Sequence, residues 1–327
     1  MDIHIRHVSK SFSLFHKQAG LWSSIKGVFY RPKTIKHALT DINVSIPAGT
    51  ALALIGPNGS GKTTLTKLMS GILTPTSGQI TIGEFIPCQR KPAYLRQISL
   101  IMGQRSQLWW DIPALDSYQF LRSIYEIPKT DFDQRLARYS KLLNIEELIT
   151  VPVRKLSLGE RMRCEFLAAI LHHPRILFLD EPTIGLDIIS QQTIRQFLVH
   201  YHQQEGATVI LTSHNMQDIA AICQQGLVLQ HGKIAFHNSL AALMDHYAKE
   251  RTITIQLNPG DHLAPLANHI KKISHPNLVV DLIVPYNEVA LVTAQVLQNS
   301  TPQKLTIREP SLEEIVSQFF LDSSSKL

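Results

Sequence analysis

Apolar positions along this chain fall into two rhythms. Apolar runs at 51–55 and 176–179, and the Thr-flanked run at 208–212, read as short strands buried on both faces. Between them, 64–69 and 190–203 repeat at helical spacing. Buried strands alternating with helices imply an α/β fold built on a largely parallel sheet. Residues 2–8, 41–46 and 79–86 instead alternate, as half-buried strands do. Residues 93–170 read as largely helical, with 116–125 and 131–143 in the helical period. Residues 226–230 and 233–236, joined by His231-Gly232, read as a hairpin. Residues 13–36 are basic and aromatic without a clear period, an inserted loop or a short helix.

The pattern restarts after a helical stretch at 241–249. Strands are expected at 251–257, 277–284 and 304–308, and helices at 262–273 and 287–297. A last helix opens at Pro310, with Ser311 as N-cap and Glu314 three residues on, a capping box. This β-α-β-α-β-α string predicts a small accessory α+β domain over 246–327, behind a main domain over 1–245 whose helical part spans about 93–170. No catalytic constellation falls in the accessory part.

Composition narrows the class. At 327 residues, 44% hydrophobic and 18% charged, the chain has the make-up of a globular protein large enough for an α/β core and a smaller domain. No apolar run approaches the roughly eighteen residues that span a bilayer. The start, MDIHIRHVSK, lacks an apolar signal core, so a cytoplasmic protein is expected. Net charge is +6, but no cluster of four or more basic residues accompanies it, so no direct nucleic-acid partner is expected. Cys88, Cys164 and Cys223 show no metal-ligand spacing and are expected to be reduced and buried. The His172-His173 pair lacks the neighbours of a metal site.

The candidate chemistry sits at the ends of the buried runs. Gly56-Pro57-Asn58-Gly59-Ser60-Gly61-Lys62-Thr63-Thr64 fits G-x-x-x-x-G-K-[ST], between an expected strand and an expected helix. In that setting inward-turned N–H groups form an anion nest and the helix N-terminus adds positive character. Lys62 would reach the β- and γ-phosphates of a nucleotide, and the Thr63 hydroxyl would ligate Mg²⁺. The second site is Asp180-Glu181, two carboxylates at the C-terminal end of the 176–179 strand, where open α/β sheets bind ligands. Asp180 suits an Mg²⁺ partner, and Glu181 a residue that polarises the attacking water. The alternative is an acidic cap to the next helix.

Between these sites lies Leu156-Ser157-Leu158-Gly159-Glu160, which resembles the signature loop of ABC-type ATPases. Gln104 stands where that family carries its Q-loop glutamine, Ile184-Gly185-Leu186-Asp187 resembles the D-loop, and Ser213-His214 the switch histidine. These motifs occur in family order over about residues 1–240. The usual signature is L-S-G-G-Q; here Leu158 replaces the first glycine and Glu160 the glutamine. Glu160 is expected to add negative charge near a γ-phosphate, offset by Arg161 and Arg163. The signature, and the segment 103–111 with its Trp109-Trp110 pair, are similar to the group that serves ABC-2 type exporters.

The resemblance implies a P-loop NTPase core with an antiparallel β-subdomain and a helical subdomain. It implies ATP and Mg²⁺ as ligands, and two chains facing head to tail around two ATP molecules. The phosphate loop of one chain would meet Ser157 and Gly159 of the other, with Asp187 nearby. Glu181 would activate water, His214 would contact the γ-phosphate, and Gln104 would sense Mg²⁺ and report to a membrane permease. Such a subunit works at the cytoplasmic face of the inner membrane as a peripheral protein. The resemblance to the ABC-2 group also implies a regulatory or dimerising role for 246–327, with inert packing as the alternative. Phe12 is the expected adenine-stacking aromatic, with His37 and Tyr30 as alternatives. Trp109 and Trp110 are expected to anchor the permease, local packing being the alternative. Two rival functions remain at this level: a non-transport ABC ATPase acting on a nucleic-acid or ribosomal partner, and a scaffold that binds ATP but hydrolyses it weakly.

Overall fold

The computed structural model describes residues 1–15, 33–103, 106–247, 249–259, 271–276 and 278–324. It divides into two units, Met1–Asn238 and Ser239–Leu327. The second unit thus begins a few residues before the expected boundary at 245.

The first unit runs β1 (Ile3–Phe15), β2 (Lys33–Ile46), β3 (Ala51–Ile55), α1 (Lys62–Met69), β4 (Ser77–Ile82), α2 (Pro92–Leu95) and β5 (Ile98–Met102). It continues with α3 (Ala114–Ile124), α4 (Lys129–Leu142), α5 (Leu158–Ile170), β6 (Ile176–Asp180), α6 (Ile188–Glu205), β7 (Thr208–Thr212), α7 (Met216–Ile222), β8 (Gln225–Gln230) and β9 (Lys233–Ser239).

A six-stranded sheet has the order β5-β6-β7-β3-β8-β9, and its β5/β6, β6/β7, β7/β3 and β3/β8 pairs are parallel. Its central strands β3 and β7 are buried at every position, as their apolar runs predict. A second, antiparallel sheet has the order β2-β1-β4. Between the sheets, Ile3, Ile5, Ile42, Ile46 and Ile80 share one core with Leu65 and Met69 of α1 and with Leu52, Leu54, Phe178 and Ile210 of the parallel sheet. That core fixes α1, and with it the loop that precedes α1.

Three expectations change here. Residues 93–170 are not continuously helical, because β5 pairs with β6 at the sheet edge. Ile98-Ser99-Leu100-Ile101-Met102 is a short apolar run whose periodicity does not separate strand from helix. The segment expected as an insertion is strand at both ends: β1 reaches Phe15 and β2 starts at Lys33. Its middle, 16–32, lies outside the described residues. Cys164 and Cys223 are buried, whereas Cys88 is only half-buried.

The second unit holds α8 (Leu240–Tyr247), β10 (Glu250–Gln256), β11 (Lys271–His275), β12 (Val279–Pro285), α9 (Val289–Asn299), β13 (Lys304–Arg308) and α10 (Leu312–Ser324). Its sheet is antiparallel, ordered β11-β12-β10-β13. Ile253, Ile255, Val280, Leu282 and Val284 pack under Val292 and Val296 of α9, a core of its own. Residues 271–273, expected as the end of a helix, belong to β11 instead; the rest of that expected helix lies outside the described residues. The Ser311–Glu314 capping box forms: Ser311 N–H donates to Glu314 Oε2 at 2.7 Å and Glu314 N–H to Ser311 Oγ at 3.3 Å.

Candidate functional site: a nucleotide pocket and a separate signature surface

Strand β3 ends at Ile55, and the chain turns through Gly56–Gly61 before α1 begins at Lys62. Gly61 has φ +111°, a region side chains rarely adopt, and a Cβ there would sit 2.5 Å from Leu39 Cδ2 and 2.8 Å from the Ala38 carbonyl. The loop is thus pinned from below by β2. The first-turn N–H groups of α1 have no partner within the helix and supply donors at the loop. Ser60 Oγ is buried with no hydrogen-bond partner, an unspent polar atom inside the loop.

Lys62 is buried, and its ammonium donates to the carbonyls of Gly56 at 2.6 Å and Pro57 at 3.1 Å. Burial lowers its pKa, and the charges of Glu181 and Asp180 pull it back up. The Thr63 hydroxyl donates to Asp180 Oδ1 at 3.1 Å, and the Thr212 hydroxyl donates to the same oxygen at 2.6 Å. Glu181 adopts a left-handed conformation, φ +53°, unusual for a residue with a long side chain. Its N–H is held by the Thr212 carbonyl at 3.0 Å and the Thr212 hydroxyl at 3.1 Å. The Glu181 carboxylate accepts from the His214 N–H at 3.1 Å, and His214 Nε2 lies 3.4 Å from Glu181 Oε1.

These groups surround one cavity of about 340 Å³, lined by Asn58, Gly59, Gly61, Lys62, Thr63 and Thr64 of the loop, by Glu181 and His214, and by Phe12, Lys36 and Ala38. Phe12 sits on β1 directly across from Lys36 on β2, with the Lys10 ammonium 5.2 Å from its ring. Of the other candidate aromatics, His37 is hydrogen-bonded to Ser11 and is absent from the cavity wall, and Tyr30 lies outside the described residues. An aromatic wall, an anion-binding loop and a carboxylate–imidazole pair are what a nucleoside triphosphate requires: a face to stack on, donors for phosphates, and a base for water.

Ser157, Gly159 and Asp187 do not line this cavity. Ser157 caps α5 through a capping box with Glu160: Ser157 N–H donates to Glu160 Oε2 at 2.8 Å and Glu160 N–H to Ser157 Oγ at 3.3 Å. Those bonds hold the Glu160 pKa below the usual carboxylate range. Glu160 is therefore engaged at its own helix terminus, and the charge of Arg163 also favours its ionised form. Arg163 donates to the carbonyls of Leu143 and Asn144, and Arg161 lies over the Trp110 ring at 5.4 Å. Gly159 is needed for packing, since a Cβ there would collide with Ser190 Oγ and come within 2.5 Å of Asp187 Oδ2. Asp187 caps α6 by accepting from Ser190 N–H at 2.8 Å. Gln104 lies outside the described residues. Trp109 and Trp110 are each about half exposed, and Trp109 packs on Phe120 with ring centroids 4.7 Å apart.

Two supporting residues escaped the sequence reading. Thr212 holds both carboxylate residues in place. Asp218, fully buried, accepts from Thr183 at 2.6 Å and from Arg195 at 2.7 and 2.9 Å, tying the segment after Glu181 to the helix after His214.

The ABC transporter family profile matches residues 39–184. The energy-coupling factor transporter ATP-binding protein EcfA2 of Bacillus cereus is 30% identical over 235 residues, 70% of this chain and 80% of that protein. This chain belongs to the ABC transporter ATP-binding family. It is a P-loop ATPase subunit of that family. The ABC transporter ATP-binding protein NatA of Bacillus subtilis is 27% identical over 224 residues, 68% of this chain and 89% of that protein. A dimeric ATP-binding cassette solved in a post-hydrolysis state with ADP and Pi matches with a TM-score of 0.59 and 22% identity, over 72% of this chain and 98% of that one. That likeness is one of fold. Among the described residues no helix is long and apolar enough to cross a membrane.

Proposed function

We propose that this chain is the ATP-hydrolysing subunit of an ABC-2 type exporter, working as a head-to-tail homodimer on a separate membrane permease at its cytoplasmic side. The observation that carries the reading is the split of the site. Phe12, the phosphate loop, Glu181 and His214 share one cavity, whereas Ser157 and Gly159 stand outside it. A second copy would bring its Ser157 and Gly159 to the open side of that cavity, so ATP would be the glue of the dimer. The exporter assignment rests on the Leu156–Glu160 signature and on the exposed Trp109-Trp110 pair.

Within this reading the residues divide the work. Gly56, Asn58, Gly59, Ser60, Gly61 and Thr64 cradle the phosphates, Lys62 places its charge on them, and Phe12 stacks on adenine. Thr63 and Asp180, a hydroxyl and a carboxylate in contact, fit a hard divalent cation and would hold Mg²⁺; the family resemblance assigns Gln104, outside the described residues, to the same ion. Bound there, Mg²⁺ supplies neutralisation of phosphate charge. Glu181 takes the proton of the attacking water, and His214 holds the γ-phosphate side of the site while fixing the Glu181 carboxylate.

An import role is the second reading. The methionine import ATP-binding protein MetN of Protochlamydia amoebophila aligns at 27% identity over 298 residues, 88% of this chain, and so extends into the second unit.

Glu181→Gln tests the catalytic core. It keeps the shape without the base, so kcat should fall by roughly a hundredfold or more while ATP binding persists and an ATP-dependent dimer accumulates in size-exclusion runs. Normal turnover removes the assignment and favours another base. Trp109→Ala with Trp110→Ala should lower co-purification with the permease and leave isolated ATPase activity near normal. An intact complex with a lower Tm would support packing instead. Transport direction in vesicles carrying the permease decides between export and import.

A further inference from the structure

Helix α5 begins at the signature and carries a buried carboxylate that the proposed chemistry does not use. Glu165 is 3% exposed. It accepts from the Ser106 hydroxyl, from Gln107 N–H at 2.9 and 3.1 Å, and from Leu108 N–H at 3.3 Å. All three donors come from one short stretch of loop. One turn earlier on the same helix face, the Arg161 guanidinium lies over the Trp110 ring at 5.4 Å. Helix α5 thus grips 106–110 at two points.

That loop also touches the other site. It leaves β5 at Gly103, whose N–H donates to the Asp180 carbonyl at 3.1 Å and whose Cα faces the Glu181 carbonyl so closely that no side chain fits. One end of the loop therefore rests on the strand carrying Asp180 and Glu181. The other rests on the helix whose N-cap is Ser157.

We propose that Glu165 is a positioning residue that fixes the 106–110 loop to the signature helix, so that the Trp109-Trp110 surface and Ser157 move as one body. This rests on the reading of Ser157 as a residue that meets nucleotide. The physical reason is the price of the alternative: a buried carboxylate without donors, or buried N–H groups without an acceptor, is costly, so loop and helix separate only with difficulty. Burial raises the Glu165 pKa above the usual carboxylate range, and the bonds from the loop donors offset part of that rise. A purely apolar contact would let the loop slide; three convergent hydrogen bonds fix its register.

The test uses the full chain with Trp22→Phe, which leaves Trp109 and Trp110 as its tryptophans. Glu165→Gln places an amide NH₂ against backbone donors and removes the charge. Its kcat for ATP should fall roughly tenfold with KM within about twofold, because the ATP-binding cavity is untouched. Acrylamide quenching of tryptophan emission, measured without nucleotide, should increase as the loop loosens. Ser106→Ala should move both readouts in the same direction by less, and it answers the question if Glu165→Gln fails to fold. Phe166→Leu, a packing change on the same helix, is the control. Unchanged kcat and quenching in Glu165→Gln, or the same kcat loss and quenching in Phe166→Leu at equal Tm, overturns the proposal. Absent ATP hydrolysis in the parent chain would strike the ATPase reading instead, since quenching reads the loop without turnover.

Discussion

Lys62 shows how one side chain can be costly and necessary at once. Its ammonium is buried, and burial disfavours the charge that the site needs. The carbonyls of Gly56 and Pro57 hold it, with the carboxylates of Asp180 and Glu181 nearby. Lys62→Ala should therefore weaken ATP affinity at least roughly tenfold, since a charge-assisted contact is worth about 1.5–3 kcal/mol. A fluorescence titration with a nucleotide analogue checks this, and unchanged affinity would exclude the phosphate-loop role. Asp180 and Glu181 were legible in the sequence because they stand at the end of an apolar run, and Lys62 because it closes a glycine-rich turn that follows one. Thr212 and Asp218 were not. A hydroxyl at the end of a buried strand and a single Asp in a short helix carry no spacing signal, and their importance lies in what lies opposite them in space. The left-handed Glu181 was equally hidden, since the groups that hold it, such as the Thr212 oxygens that accept from its N–H, are distant in sequence.

Elements succeed or fail at their ends and contacts. Helices α5 and α6 meet where Gly159 leaves room for Ser190 and Asp187. Gly159→Ala should improve helix propensity slightly yet overpack this contact, for a net loss of about 1–3 kcal/mol and a Tm lower by several degrees. A Tm at or above the parent's would show that the helices separate freely. Helix α10 offers a titration. The paired bonds from Arg308 to the Glu314 carboxylate, with those from Ser311, push the Glu314 pKa down to about 2 from an ordinary 4.5. A depressed carboxylate contributes its stability above the ordinary value and loses it as pH falls through the shifted one. The second unit should therefore lose stability between about pH 4.5 and pH 2. The pair is half exposed, so the effect is small, and salt should weaken it. Glu314→Gln should flatten this part of a Tm-against-pH curve; an unaltered slope would mean that the pair contributes nothing. The capping box was readable because it is local. Strands β5 and β11 were not, because a five-residue apolar or mixed run becomes strand only through its neighbour, β6 or β12.

At the scale of the whole molecule, the motif order along residues 1–240 already resembled one family, and the motifs fall in two places: the phosphate loop, Glu181 and His214 stand at the ends of parallel strands around one cavity, whereas Ser157, Gly159 and Asp187 stand at helix N-termini outside it. The division into units was less legible. A helical stretch at 241–249 has no local mark saying which core it joins, and the second unit starts at Ser239. Each unit has its own buried cluster, Ile3 through Leu229 in the first and Ile253 through Val296 in the second. The residues that line the nucleotide cavity all fall within the first. A chain ending after Asn238 should therefore fold cooperatively and bind ATP with affinity within a few-fold of the parent's, as a domain with its own core does. Circular dichroism melting and nucleotide titration measure the two. If the second unit is regulatory or dimerising, the same truncation changes the basal ATPase rate or the lifetime of the ATP-dependent dimer, while affinity in the monomer stays put. An insoluble or non-cooperative product would mean that β9, the edge strand next to the cut, needs the following residues to stay on the sheet. The two cores would then be one folding unit.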